Sequence, residues 1–321
     1  MTSEVKDTVF HLDESLCTGC GKCIKDCLTK ILEIVDGRCV MTEPFKCLEC
    51  GRCMQECPEN AITIKSVSPE GEQATKDIDG KKVQFVPILR ELTKMMLEEL
   101  GSVQLYEFEG IDIRELDNFE IEGERCYTRL YQTDKIEKTS ISSSIFYGLS
   151  CSKAMCLTPS EEYDFPSFVM DWVEAEDAIF FLCDFLPADD PGRNRDYLTK
   201  YLYTPLEDLY SKYSDIPGIE PINLYWVRAL ASPYIIVGNV EKTPRKNVDK
   251  IFDCALGYFR AWIEIWREAK PQDPDSEYMK LVNERKKMAR EIYIENDPAA
   301  GILNKFLDEE KAHTIMKLVM P

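Results

Sequence analysis

Long hydrophobic runs are missing from this chain. No stretch approaches the roughly 18 apolar residues that a membrane helix needs, and the longest, AIFFLCDFL at 178–186, is interrupted by Asp184. Membrane insertion as helices is therefore not expected. No G-x-G-x-x-G fingerprint and no Walker loop occur, so no flavin, nicotinamide or ATP is expected. Positive charge is short: 39 Lys and Arg face 58 Asp and Glu, for a formal net charge of −19. That argues against nucleic acid and anionic membrane surfaces as partners. Histidine is nearly absent, with only His11 and His313 in 321 residues. No signal peptide is visible, so the expected setting is a reducing cytoplasm. Fourteen cysteines fit that setting, and an anaerobic one, as free thiols or metal ligands.

Eight of those cysteines form two runs with the same spacing, Cys17-Cys20-Cys23-Cys27 and Cys47-Cys50-Cys53-Cys57, the second followed by Pro58. Each reads C-x2-C-x2-C-x3-C, the spacing that wraps three thiolates around three corners of a four-iron cubane and sends the fourth to the neighbouring cluster. Cys17, Cys20, Cys23 and Cys57 are expected to hold one [4Fe-4S] cluster, and Cys47, Cys50, Cys53 and Cys27 a second. Zinc ribbons use separated C-x2-C pairs instead. Gly19, Gly21 and Gly51 let the backbone turn close to the sulfides. The unit repeats after 30 residues, each copy expected as strand, ligand loop, short helix and strand. Residues 8–66 resemble the two-cluster bacterial ferredoxins. The remaining thiols, Cys39, Cys126, Cys151, Cys156, Cys183 and Cys254, are expected as buried apolar side chains.

The chain is long enough for two domains. The expected division is a ferredoxin domain at 1–66, a polar linker at 67–84 and a larger domain at 85–321. A helix is expected at 87–100, with Leu89, Leu92, Met96 and Leu100 on one stripe. Strands are expected at 140–149, 166–173, 178–186, 224–230 and 234–240, from their β-branched and aromatic content. Helices are expected at 196–203, after a Thr204 cap, at 248–269 and at 276–296. The fold class is α+β: an α/β/α sandwich whose central antiparallel sheet is flanked by helices.

In the strand SFVMDWV, Phe168, Met170 and Trp172 point to one face, and Val169, Asp171 and Val173 to the other. With a turn at 174–177, Val173 would oppose Ala178 and Asp171 would oppose Phe180. That places Asp171, Phe180, Leu182 and Asp184 on one face. A carboxyl among Val, Phe and Leu loses hydration, so its pKa should rise, as a proton donor requires. Asp184 is expected about 13 Å further along and reads first as an anchor for FLPADD. Arg228, alone in the apolar segment LYWVRALASP, reads as a buried cation that needs an anion, Asp184 or one on a ligand.

The segments YDFPSFVMDWVEAEDAIFFLCDFLPADD (163–190), RDYLTKYLY (195–203) and LYWVRALASP (224–233) resemble, in order, motifs of red chlorophyll catabolite reductase and its superfamily, the ferredoxin-dependent bilin reductases. The counterparts are Phe168 to Asp171, Leu182 to Asp190, Asp196-Tyr197-Leu198 with Tyr201, and Tyr225 to Pro233. SSSIFYGLS (142–150) is similar to the strand before the family pocket. The resemblance covers residues 140–298. It implies a sheet between helices and a tetrapyrrole against the sheet. Electrons would come singly from ferredoxin and protons from side chains. It also makes Asp171 the proton donor, and Arg228, Asp184, Phe180 and Leu182 substrate contacts. The family's second acidic position falls on Arg285-Lys286, beside Glu284, and no counterpart of the family histidine is found. The expected activity is two-electron reduction of a linear tetrapyrrole by a chain that carries its own ferredoxin and is recharged by an external low-potential donor. A cyclic tetrapyrrole, another conjugated substrate, or a non-enzymatic electron-transfer or pigment-binding role are the alternatives.

Overall fold

The computed structural model describes residues 10–25, 27, 31–42, 52–64, 75–78, 81–84, 88–121, 124–146, 150–175 and 177–321. Its contacts divide into two compact units, Met1–Glu98 and Glu99–Pro321.

The first unit carries strand β1 (Phe10–Leu12), helix α1 (Lys22–Lys25), strands β2 (Leu32–Val35) and β3 (Arg38–Met41), helix α2 (Arg52–Gln55) and strand β4 (Ile62–Ile64). β1 pairs with β4 and β2 with β3, both antiparallel. This is the duplicated strand, loop, short helix and strand that the 30-residue repeat anticipates. Phe10, Leu32, Ala61 and Ile62 form a small apolar core with the cysteines. Within the segment read as a linker, β5 (Thr75–Ile78) pairs with β6 (Lys81–Gln84). Helix α3 (Ile88–Leu100) follows, with Leu89, Leu92 and Met96 fully buried.

The second unit is built on one antiparallel sheet. After β7 (Val103–Leu105) and a minor hairpin of β8 (Glu107–Phe108) with β9 (Ile111–Asp112) come the main strands. These are β10 (Phe119–Ile121), β11 (Glu124–Thr133), β12 (Ile136–Phe146), β13 (Ser150–Pro159), β14 (Ser167–Glu174), β15 (Ala178–Leu186) and β16 (Ile236–Glu241). They pair in sequence order from β10 to β16, and β7 joins the sheet by pairing with β11. β11 and β13 were not anticipated: their mixed polar content carries no clean two-residue alternation.

Helices cover both faces. Helix α7 (Arg245–Glu268) buries Ile251, Ala255, Phe259 and Trp262. Its Phe259 ring lies 4.9 Å from Phe168, and Trp262 donates its indole N–H to the Pro166 carbonyl at 2.8 Å. The opposite face, with Val169 and Leu182, packs in one core with Tyr293 of α8 (Glu277–Asn296), Leu303 of α9 (Ala299–Phe306), and Ile315 and Met316 of α10 (Glu309–Val319). The sandwich expected from sequence is thus present.

Two expectations are corrected. The segment 196–203 does not stop at a Thr204 cap. Arg195–Tyr197 (α4) runs through a π-helical turn at Leu198–Tyr203 into α5 (Thr204–Tyr213), with Thr204 itself helical at φ −59° and ψ −46° and its N–H bonded to the Thr199 carbonyl. Pro205 has no N–H to give, and the widened turn before it absorbs that loss within a continuous helix. Residues 224–230 are not a strand but helix α6 (Tyr225–Leu230), which buries Val227 and Leu230, three residues apart. A short apolar run satisfies both periods, and here the helical one prevails.

On the face toward α7, Lys153 and Glu174 form a fully buried ion pair at 3.2 Å. Trp172 donates its indole N–H to Glu174 at 3.3 Å, and Lys242 pairs with the same carboxylate at 3.0 Å. A removed partner here would strand a buried charge, so the cluster holds as a set.

Candidate functional site

In the first unit, Cys17, Cys20, Cys23 and Cys57 line one cavity, joined there by Cys39. Cys17 and Cys20 lie in the loop before α1, Cys23 in α1, Cys57 after α2 and Cys39 in β3. Gly19 closes the loop with φ +66°, and a Cβ there would stand 2.4 Å from the Gly37 carbonyl oxygen. The loop can therefore pack against the turn at Gly37 only with glycine at this position. The Cys57 sulfur accepts the Ala61 N–H at 3.3 Å, a contact that stabilises a thiolate. No three His, Cys, Asp or Glu side chains among the described residues converge on a single ion. Thiols that surround a cavity and glycines that leave it open fit a cluster rather than a lone metal. Cys53 is buried in α2 and Cys27 half-buried after α1; Cys47 and Cys50 lie outside the described residues. Of the other thiols, Cys126, Cys156, Cys183 and Cys254 are buried, and the Cys151 side chain is outside the described set.

In the second unit, β14 turns into β15 so that Glu174 opposes Ile179, Val173 opposes Phe180 and Asp171 opposes Leu182. The expected face is right and the expected register is wrong. Ala175 donates its N–H to the Ala178 carbonyl at 2.9 Å, so the turn is centred one residue later and every pair shifts by two. Asp171 still shares a face with Phe180, Leu182 and Asp184. Asp184, however, opposes Val169, about 7 Å along the strand from Asp171 rather than about 13 Å.

Asp171 is half-buried in a cavity of about 40 Å³ that is also lined by Cys156, Leu182, Tyr293, Asp297 and Met320. No described residue gives its carboxyl a hydrogen bond. Burial pushes the carboxyl up to about 7, and the nearby Asp297 carboxylate adds to the rise. Asp297 follows the last residue of α8 and accepts the Ala299 N–H at 2.7 Å. Burial raises its pKa too, against that hydrogen bond. Two carboxyls in one small cavity repel as anions, so each favours the proton of the other.

Asp297 was missed in the sequence. Asp-Pro after a helix reads as a stop and a cap, and nothing local marks it as facing Asp171. Arg285 and Lys286, onto which the family's second acidic position falls, are engaged elsewhere. Arg285 donates to the Pro187 and Leu230 carbonyls at 3.1 and 3.4 Å. Lys286 donates to the carbonyls of Ser160 and Tyr163 at 3.0 and 2.6 Å. Neither lines the cavity.

Asp184 is buried and accepts the Ser232 N–H at 2.9 Å and, closer still, the Ser232 hydroxyl. Burial lifts it to about 6 against these bonds. Ser232→Ala should therefore cost ~1–3 kcal/mol, measured by denaturant unfolding, with the loss largest above pH 6 where Asp184 is charged. Phe180 is partly buried and Leu182 buried against the core on the cavity side. Arg228 does not meet the expectation. It is exposed on α6, because helical spacing turns it away from Val227 and Leu230. The cations beside the cavity are others. Lys138 is buried and donates to the Lys317 carbonyl at 3.0 Å and to that of Met320. Arg290 donates to the Pro321 carbonyl at 3.0 Å and to Glu137 at 3.1 Å.

No helix of the described residues is long and apolar enough to cross a membrane. The family model for ferredoxin-dependent bilin reductases matches residues 128–320, and that for 4Fe-4S dicluster domains matches residues 16–62. Among solved structures, phytochromobilin synthase from tomato, in complex with biliverdin, aligns with a TM-score of 0.62 at 14% identity, over 72% of this chain and 82% of its own. The structure of PcyX aligns at 14% identity over 71% of this chain and 93% of its own, with a TM-score of 0.42. The curated proteins contain no match. The tomato enzyme shares the fold. The family match runs through more than half of the chain, from the sheet strands that carry Asp171 to the helices beside Asp297, and this chain therefore belongs to the ferredoxin-dependent bilin reductases.

Proposed function

We propose that this chain reduces one double bond of a linear tetrapyrrole, with Asp171 and Asp297 supplying the protons and two [4Fe-4S] clusters in its first unit supplying the electrons. A bilin reductase that carries a 4Fe-4S domain in the same chain is an oxidoreductase with its own electron carrier. The observation that carries the finer reading is the cavity on the sheet face where two carboxyls meet. Saturating a C=C bond consumes two electrons and two protons. Two carboxyls match the protons, and Asp171, at about 7, holds one near neutral pH.

Cys17, Cys20, Cys23 and Cys57 would hold one cluster, and Cys47, Cys50, Cys53 and Cys27 the other. Bound clusters each supply one electron at low potential. The tether between the two parts of the chain replaces diffusional docking with an effective concentration of order mM. An external low-potential donor recharges the clusters.

A cavity of about 40 Å³ holds a few waters, whereas ligand pockets run to ~300–1,000 Å³. Binding therefore requires the cavity to widen beyond the walls that line it here. Anaerobic incubation with biliverdin and dithionite-reduced protein tests the reading. The bilin absorption band should shift in proportion to the clusters oxidised; intact reduced clusters that leave the spectra of linear tetrapyrroles unchanged would overturn it.

A further inference from the structure

Cys39 belongs to neither ligand run, yet it lines the same cavity as Cys17, Cys20, Cys23 and Cys57. It is 2% exposed and sits in β3 between Arg38 and Val40, both exposed, with the Arg38 guanidinium reaching round to donate to the Cys17 carbonyl. The pleat thus directs this one side chain inward. Its sulfur lies 3.4 Å from the Cys23 sulfur. A disulfide needs about 2.05 Å, so the contact is non-covalent, at hydrogen-bond length for sulfur. The dicluster family match spans Cys39 as well as the ligand runs.

We propose that the Cys39 thiol donates a hydrogen bond to the Cys23 thiolate and so raises the reduction potential of the cluster held by Cys17, Cys20, Cys23 and Cys57. This rests on the cluster assignment above. The physical reason is charge. Reduction adds an electron to a cluster already ligated by four thiolates, and a donor on one ligand sulfur stabilises the more negative state. A thiol is a weak donor, but Cys39 is 2% exposed, so little water reaches it to compete.

The sequence makes the device one-sided. The repeat is 30 residues, and the positions 30 before and 30 after Cys39 are Val9 and Pro69. Neither side chain can donate a hydrogen bond. The sequence thus offers no equivalent donor at the repeat positions, and Cys39 acts on one of the two potentials only.

The test is a redox titration of the full chain, reconstituted anaerobically and followed by electron paramagnetic resonance, with iron and acid-labile sulfide measured on each sample. Wild type, Cys39→Ala and Cys39→Ser are compared. Cys39→Ala should keep its iron and shift one midpoint to a more negative value. At the wild-type midpoint, its reduced-to-oxidised ratio should fall roughly 2- to 10-fold, the range of a single net hydrogen bond. Cys39→Ser, which keeps a donor, should recover most of the shift. Unmoved midpoints in an iron-replete Cys39→Ala overturn the proposal. So does loss of iron from both variants, which would make Cys39 a ligand. A wild type that binds no clusters overturns the cluster assignment itself, a result distinct from either.

Discussion

Asp171→Asn should fold, bind a linear tetrapyrrole, keep its iron, and turn over ~10²–10⁴-fold more slowly than wild type. The amide preserves shape and polarity but is far too weak an acid to transfer a proton. Asp171 meets no hydrogen-bond donor among the described residues, and its carboxyl stands at about 7 because of burial and the neighbouring Asp297. Turnover in the wild type should therefore fall as pH rises through about 7, where the acid form is lost. The two carboxyls titrate together, so the profile belongs to the pair. Asp297→Asn should remove the repulsion and bring the midpoint of the remaining carboxyl down.

The same shift reads out in stability. A carboxyl with a folded pKa above its unfolded value stabilises the fold fully below about pH 4 and loses that contribution as pH rises through about 7. Above that, the buried charge costs ~2–4 kcal/mol relative to acid conditions. Asp171→Asn should thus melt above wild type at pH 8 and close to it at pH 4. Equal turnover of variant and wild type across pH 5–9 would remove Asp171 from the mechanism. Equal melting at pH 8 would show that its carboxyl is hydrated.

Cys57→Ala should lower iron and acid-labile sulfide from about eight of each per chain to about four. Cys57 lies in the second run but lines the cavity of Cys17, Cys20 and Cys23, so the cluster lost should be the one held by the first three thiols. Cys27→Ala should remove the other. With one cluster left, the chain stores one electron where a double bond needs two. Single-turnover reduction of a stoichiometric bilin by the pre-reduced protein should then stop halfway, while wild type completes it. Iron that stays near eight, or loss confined to the second run, would contradict the crossed ligation.

Much of this was legible in the sequence, for reasons that differ by element. The cysteine spacing is a covalent constraint, and the repeat it marks appears in the structure. The faces of β14 and β15 follow from strand pleating alone, so Asp171, Phe180, Leu182 and Asp184 are correctly grouped. Their register depends on the turn, and Glu174–Asp177 offers no Asn-Gly or Asp-Gly to place it; the pairing slipped by two. Arg228 was misread because six residues suffice for either period. Asp297 was invisible because its meaning comes from tertiary structure. More than a hundred residues separate it from Asp171, and only the return of α8 across the sheet unites them.

The buried group beneath the acid has a mechanical meaning. Trp172 and Glu174 follow Asp171 along β14 with side chains on the opposite face, where Trp172 donates to Glu174 and Glu174 is paired with Lys153 and Lys242. The carboxyl is thus carried on a backbone clamped from behind, like a tool held in a vice. Its aim does not depend on contacts inside the cavity, so a molecule entering or leaving there would not disturb the carboxyl's orientation.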